Sequence, residues 1–277
     1  MHKYSIGLDF GTLSCRAVIV DLETGTETAQ AVRKYKYGVM SERFINGEKL
    51  PPDYALQHPQ DYLETMTETI KEVLANSGVS SDDVVGVGVD FTASTIIPVS
   101  EDGTPLCFME KFKNRPHSYA KLWKHHAAQR EADEITKSAA ASNQPWLERY
   151  GGTISSEWML PKVWQILNED EEVYNSAFRF TEAADWIIWW LTGVETHSVC
   201  TTGFKGIWNS DDGYPSQEFL ASLDARLRNI VGDKISENVV KMSQVSGTVS
   251  RKASALLGLR EGTPVAPGII DAHALCL

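Results

Sequence analysis

Residues 6–21 read IGLDFGTLSCRAVIVD. Tyr4–Asp9 and Arg16–Asp21 are expected to be strands, rich in Ile and Val and joined by a turn at Gly11-Thr12. The first strand ends on Asp9, whose carboxylate is costly to desolvate unless a cation or a hydrogen-bond donor meets it. A tight turn of this kind points successive backbone N–H groups outward and forms an anion-binding concavity. Gly11 permits close backbone approach, Thr12 and Ser14 add hydroxyl donors, and Arg16 adds a charge-assisted contact. Asp9 then suits a magnesium ion held through its waters, because Mg²⁺ takes oxygen ligands and keeps much of its hydration shell. The same residues also fit a plain hairpin turn capped by the aspartate.

Outward from this hairpin, residues 24–37 alternate well enough for a third strand. Residues 58–78 carry a helix start at Pro59, an apolar stripe (Tyr62, Met66, Ile70, Val73, Leu74) and a stop at Gly78. Residues 83–91 and 94–100 read as strands again, before a turn at 101–103. The pattern is α/β with some antiparallel pairing. The region from about 111 to 209 is mostly helical and rich in tryptophan, with its clearest helices at 156–177 and 182–193. Helical spacing makes most of those rings core, with room among them for a sugar-stacking platform. GTPVAPGIID, residues 262–271, reads as one last apolar strand ending on Asp271, with a turn or helix after it.

The 277 residues allow one large domain or two small ones. A net charge of −11 argues against unaided binding to nucleic acid or anionic membranes, without forbidding a local basic pocket. No window approaches the roughly 20 apolar residues of a membrane span, and residues 1–11 lack the features of a signal peptide. Cys15, Cys107, Cys200 and Cys276 show no CxxC spacing, which argues against a zinc site or disulfide framework. These features set the expectation of a reduced, cytoplasmic protein. The His125-His126 pair, beside Lys121 and Lys124, reads as the solvated face of a charged helix. A strand ending in a carboxylate six residues before the last residue reads as part of a longer chain.

Asp271 is the second carboxylate of interest. Phosphoryl acceptors need a positioned base, and kinases use an aspartate for it; a lone strand-end aspartate also fits a cap. With Asp9 and Asp271 both at strand ends, the two are expected to face one cleft, since ligands of open α/β sheets bind outside the carboxyl ends of strands.

Together with residues 6–21, the stretches GVGVDFTAS (86–94), KLWKHHAAQ (121–129), EAADWIIWWLTG (182–193), TTGFKGIW (201–208) and PVAPGIIDAHA (264–274) resemble, in this order, motifs of the FGGY carbohydrate kinases. The D-A-H triplet and KLWKHH resemble the ribulokinase branch more than glycerol kinase or xylulokinase. The resemblance implies an actin-like, ribonuclease H-like ATPase domain: a mixed twisted sheet flanked by helices, with a helical insertion (about 111–209) closing a sugar cleft. Residues 1–277 would be the N-terminal, sugar-binding domain, and a C-terminal nucleotide-binding domain would be a missing partner. ATP and Mg²⁺ are the implied cofactors and L-ribulose the implied ketopentose substrate, in arabinose catabolism; a homodimer stays open. By the same resemblance Asp271 is the catalytic base, Asp9 the metal and phosphate-site aspartate, and Thr12 lies near the transferred phosphoryl group. Ala93 and Lys205 line the ribulose pocket, with Glu157 near the cleft. Read alone, Lys205 is also a solvated loop lysine, and His273 is either a neighbour supporting Asp271 or a helix N-terminal residue. Other readings are a non-catalytic sugar-binding or sensing module, a kinase for another ketopentose such as xylulose, and a hydrolase using Asp9 and Asp271 on a glycosidic bond. The Gly-Thr turn speaks against the last, because a glycosidase needs no phosphate cradle.

Overall fold

Alternation of apolar residues builds the first hairpin in a computed structural model that describes residues 2–274. Strands β1 (Tyr4–Phe10) and β2 (Ser14–Asp21) pair antiparallel, and β3 (Glu27–Lys34) continues the meander. Helix α1 (Pro59–Ser77) follows. His58 caps it by accepting from the Gln60 N–H, Pro59 occupies its first turn, and Gly78 closes it with a φ of 66° that only glycine adopts cheaply. Four of the five stripe residues, Tyr62, Met66, Ile70 and Val73, are fully buried, at about 1.5–3 kcal/mol each as an upper figure, and Leu74 is half-buried against the same core.

Strand β4 (Val84–Phe91) lies parallel to β1 on the side away from β2, and β5 (Ile96–Val99) leads into the insertion. Within it, α2 (Met159–Glu169) is followed by β6 (Arg179–Glu182), α3 (Ala183–Thr192) and α4 (Val199–Lys205). After β7 (Gly247–Thr248) and α5 (Arg251–Leu257) come β8 (Pro264–Val265), β9 (Ile269–Ile270) and α6 (Asp271–Ala274). The main sheet runs β7-β8-β4-β1-β2-β3, and β9 also pairs with β4. A smaller sheet joins β5 and β6 to the two-residue strands Leu56–Gln57 and Ala120–Lys121.

One core lies on the face of the main sheet that carries Ile6, Leu8, Phe10, Val87, Val89 and Phe91. Phe10 and Phe91 stack at 5.0 Å, and the Tyr62 ring meets both edge-on. Helix α3 packs into this core through Trp186, Ile187 and Leu191 rather than into the core of the insertion. That second core gathers Trp146, Leu160, Val163 and Phe180, and also draws on Phe219, Leu227 and Ile235, beyond position 209.

Two expectations are corrected. The last strand is split: Ala266-Pro267-Gly268 interrupts β8 and β9, and Gly268 runs so close to α3 that a Cβ there would stand 3.0 Å from Ala184 Cβ. Residues 121–129 are not a charged helix, since the helix here begins at Gln129. Lys121 and His125 are fully buried; His125 Nε2 lies 2.9 Å from Gln165 Oε1, and its Nδ1 accepts from the Ala55 N–H at 3.2 Å. Burial pushes the His125 imidazole well below its usual range. Only His126 of the pair faces solvent. Cys15, Cys107 and Cys200 are free thiols, and Cys276 lies outside the described residues. Among the described residues, no helix is long and apolar enough to cross a membrane.

Candidate active site

Register decides the site. β1 and β4 are aligned so that Asp9 sits beside Asp90 and Phe10 beside Phe91. Alternation along the strands sends both phenylalanines into the core and both aspartates to the opposite face. On the far side of β4, Ile269 pairs with Asp90, and Asp271 follows at the start of α6. The carboxyl ends of three parallel strands therefore present Asp9, Asp90 and Asp271 to one cleft of about 490 Å³, lined also by Ala272 and Ala274. Asp271 Oδ1 accepts the Ala272 N–H at 2.7 Å, which orients the carboxylate.

Asp90 was not singled out in the sequence. Its signal was nonetheless present: VGVDF at 87–91 repeats the pattern of IGLDF at 6–10. Burial, then the charge of Asp9 and a hydrogen bond with it, then the charge of Asp271, push its carboxyl up to about 7. The folded state therefore holds a proton that the unfolded chain gives up near pH 4, and stability falls as pH rises from about 4 to 7. Asp90→Asn removes this loss. Its melting temperature should match the parent at pH 4, exceed it progressively up to pH 7 and keep that margin at pH 8. Equal melting curves at pH 8 would show that burial and its neighbours do not raise the Asp90 carboxyl.

The turn after Asp9 is held from outside the hairpin. Thr12 O accepts from Gln57 Nε2 at 2.7 Å, Gln57 Oε1 accepts from the buried Tyr62 hydroxyl at 2.7 Å, and Thr12 Oγ1 accepts from Trp123 Nε1 at 3.2 Å. Gln57 carried no sequence signal, and Trp123 stood within the KLWKHH stretch without a role assigned to it. The Gly11 N–H donates to Ser14 O at 3.0 Å, so the turn uses this donor itself, contrary to the expectation that it points outward. A Cβ on Gly11 would meet nothing closer than 3.6 Å, so the fold alone does not demand glycine there. Arg16 is exposed and pairs across the strands with Asp9, next to the cleft.

The remaining candidates form a second cluster. Lys205, at the end of α4, donates from Nζ to Glu157 Oε2 at 2.7 Å, and the Glu157 carbonyl accepts from Ser94 Oγ at 2.7 Å, beside Ala93. Lys205 is thus paired and mostly buried rather than solvated. This cluster reaches the Asp271 helix through α4: Cys200 Sγ lies 3.1 Å from His273 Nδ1, and the Phe204 and His273 rings meet at 4.7 Å.

Among the described residues no group of three or more His, Cys, Asp or Glu side chains is placed to hold a metal ion unaided. The donor set does fit hydrated Mg²⁺, which needs one or two carboxylates and takes its other oxygens from water and phosphate. Burial is the larger cause of the raised Asp90 carboxyl, and the repulsion from Asp9 and Asp271 that adds to it is what such a cation would relieve.

A match to the N-terminal domain of the FGGY family of carbohydrate kinases extends over residues 4–277. The chain belongs to this family. It is 49% identical over 273 residues to the ribulokinase of Anoxybacillus flavithermus and likewise to that of Geobacillus thermodenitrificans, covering 98% of this chain and 48% of each relative. The chain thus spans about half the length of the curated relatives it matches. Among solved structures it resembles xylulose kinase from Rhodospirillum rubrum at a TM-score of 0.78 and 20% identity, over 99% of this chain and 50% of that one. The FGGY fold, an actin-like ATPase architecture, is therefore the fold of this chain. Family membership sets aside the glycosidic hydrolase reading.

Proposed function

We propose that the chain is the sugar-binding half of an ATP-dependent ribulokinase that phosphorylates the terminal hydroxyl of L-ribulose. The observation that carries this reading is the convergence of Asp9, Asp90 and Asp271 at the carboxyl ends of adjacent parallel strands, with the Lys205–Glu157 pair connected to the Asp271 helix through the contacts of Cys200 and Phe204 with His273. Asp271 takes the proton of the acceptor hydroxyl as its oxygen bonds to the γ-phosphorus and the bond to the departing ADP oxygen breaks. Asp9 would hold a hydrated Mg²⁺, whose chemistry there would be to supply positive charge to the phosphoryl oxygens. Thr12 and Ser14 border the transferring phosphoryl group, and Arg16, paired across the strands with Asp9, supplies positive charge beside it. Lys205, Glu157 and the Ala93 turn bind the ketose, with the Lys205 amine donating to its oxygens. The 44–49% identity to several ribulokinases supports ribulose over xylulose.

The adenine pocket, in this reading, belongs to the half of the relatives that this chain does not span. Purified residues 1–277 should therefore bind ketopentoses weakly, since no second domain closes over the sugar and water competes for each hydroxyl. They should bind ATP barely or not at all, and show no useful kinase activity. Calorimetric titration with a panel of ketoses and, separately, ATP, together with a coupled kinase assay, tests this. Robust ATP-dependent ribulose phosphorylation by this chain alone would overturn the divided nucleotide site. Ketose binding by a full-length protein without phosphoryl transfer would favour a sensing module instead.

A further inference from the structure

Ser94, next to Ala93, has a φ of 56°, a left-handed conformation that a serine keeps only when its surroundings over-determine it. Each of its polar groups is held by a different element. Its hydroxyl donates to the Glu157 carbonyl at 2.7 Å, its carbonyl accepts from Lys162 Nζ at 2.6 Å, and its N–H lies against the carboxyl of Glu182. Lys162, on α2, donates equally to the carbonyl of Leu122 at 2.6 Å. Both Lys162 and Glu182 are buried beneath the turn, and burial pushes the Glu182 carboxyl up and the Lys162 amine down. Either protonation state of the amine supplies the two N–H donors that the carbonyls need.

We propose that Lys162 is a positioning residue for the sugar pocket: by holding the carbonyls of Ser94 and Leu122 it fixes the Ala93-Ser94 turn and, through the Ser94 hydroxyl, the Glu157–Lys205 pair. The proposal rests on the ribulokinase reading for the identity of the sugar. It assigns specificity for the ketose to a side chain that never touches it.

The test uses the full-length kinase. Lys162→Met leaves the buried Ser94 carbonyl without its donor, while the Leu122 carbonyl keeps the His125 N–H at 3.0 Å, and should raise the KM for L-ribulose about tenfold. The KM for ATP should stay within about threefold, because Thr12 keeps its Gln57 hydrogen bond. Lys121→Met is the control. Lys121 is as buried, but its Nζ has no hydrogen-bond partner among the described residues and lies 5.0 Å from the Tyr54 ring centroid. This variant should leave the ribulose KM unchanged. Ser94→Gly suits the left-handed turn, keeps both backbone groups and loses only the hydroxyl. It should raise the ribulose KM about threefold at an unaltered melting temperature. A wild-type ribulose KM in Lys162→Met, or an equal rise in Lys121→Met, overturns the proposal. Should Lys162→Met fail to fold, an unchanged ribulose KM in Ser94→Gly overturns it. If the parent does not phosphorylate L-ribulose, the kinase reading falls, and the same variants are judged by calorimetric affinity for whichever ketose the parent binds.

Discussion

Asp271→Asn in the full-length kinase should lower kcat by at least about 10²-fold, the lower end for losing a general base, while ribulose affinity stays nearly intact. The geometry separates the two effects. Asp271 sits at the carboxyl end of β9, oriented by the Ala272 N–H, whereas the other contacts proposed for the sugar come from the turn after β4 and from α4. The asparagine keeps an oxygen to accept that N–H, so the local fold survives, but it takes no proton from the acceptor hydroxyl. Steady-state kinetics with calorimetric ribulose titration reads both quantities. A variant that keeps most of its kcat would exclude Asp271 as the base.

The second large effect is expected at Asp9. Asp9→Asn should cut phosphoryl transfer by about 10²-fold, comparable to losing one preorganised group that stabilises transition-state charge. It should also raise the magnesium concentration needed for half-maximal rate. Ribulose affinity should not change, because only the phosphate side loses a charge. Magnesium titration of the rate at saturating sugar distinguishes these outcomes. A fall in ribulose affinity with unaltered metal dependence would mean that the two sides of the cleft are reversed.

The parts of the molecule that could be read in advance are those whose signal is local. The Gly11-Thr12 hairpin and helix α1 carry their own start and stop residues, and α1 buries the stripe that its spacing marks. The split between β8 and β9 could not be read from apolar content, because it depends on how closely Gly268 passes Ala184 on a helix some 80 residues earlier in the chain. Lys121 and His125 misled for a related reason. Their polarity suggested solvent, yet His125 meets Gln165 and the Ala55 backbone, and Lys121 lies over the Tyr54 ring, all far off in sequence. Asp9 and Asp271 stood out because each ends an apolar run. Asp90 ends one as well, but only the parallel register of β1 and β4 shows that it shares their cleft. Lys162 gave no hint at all, since a lysine inside an amphipathic helix ordinarily faces water.

A carboxyl that keeps its proton until about pH 7 makes this cleft an exchanger of cations. Below about pH 7 one of its three acids carries a hydrogen ion, so a divalent cation bound here in the proposed kinase would have to displace it and release it to the solution. Metal uptake and proton release are then two faces of one equilibrium.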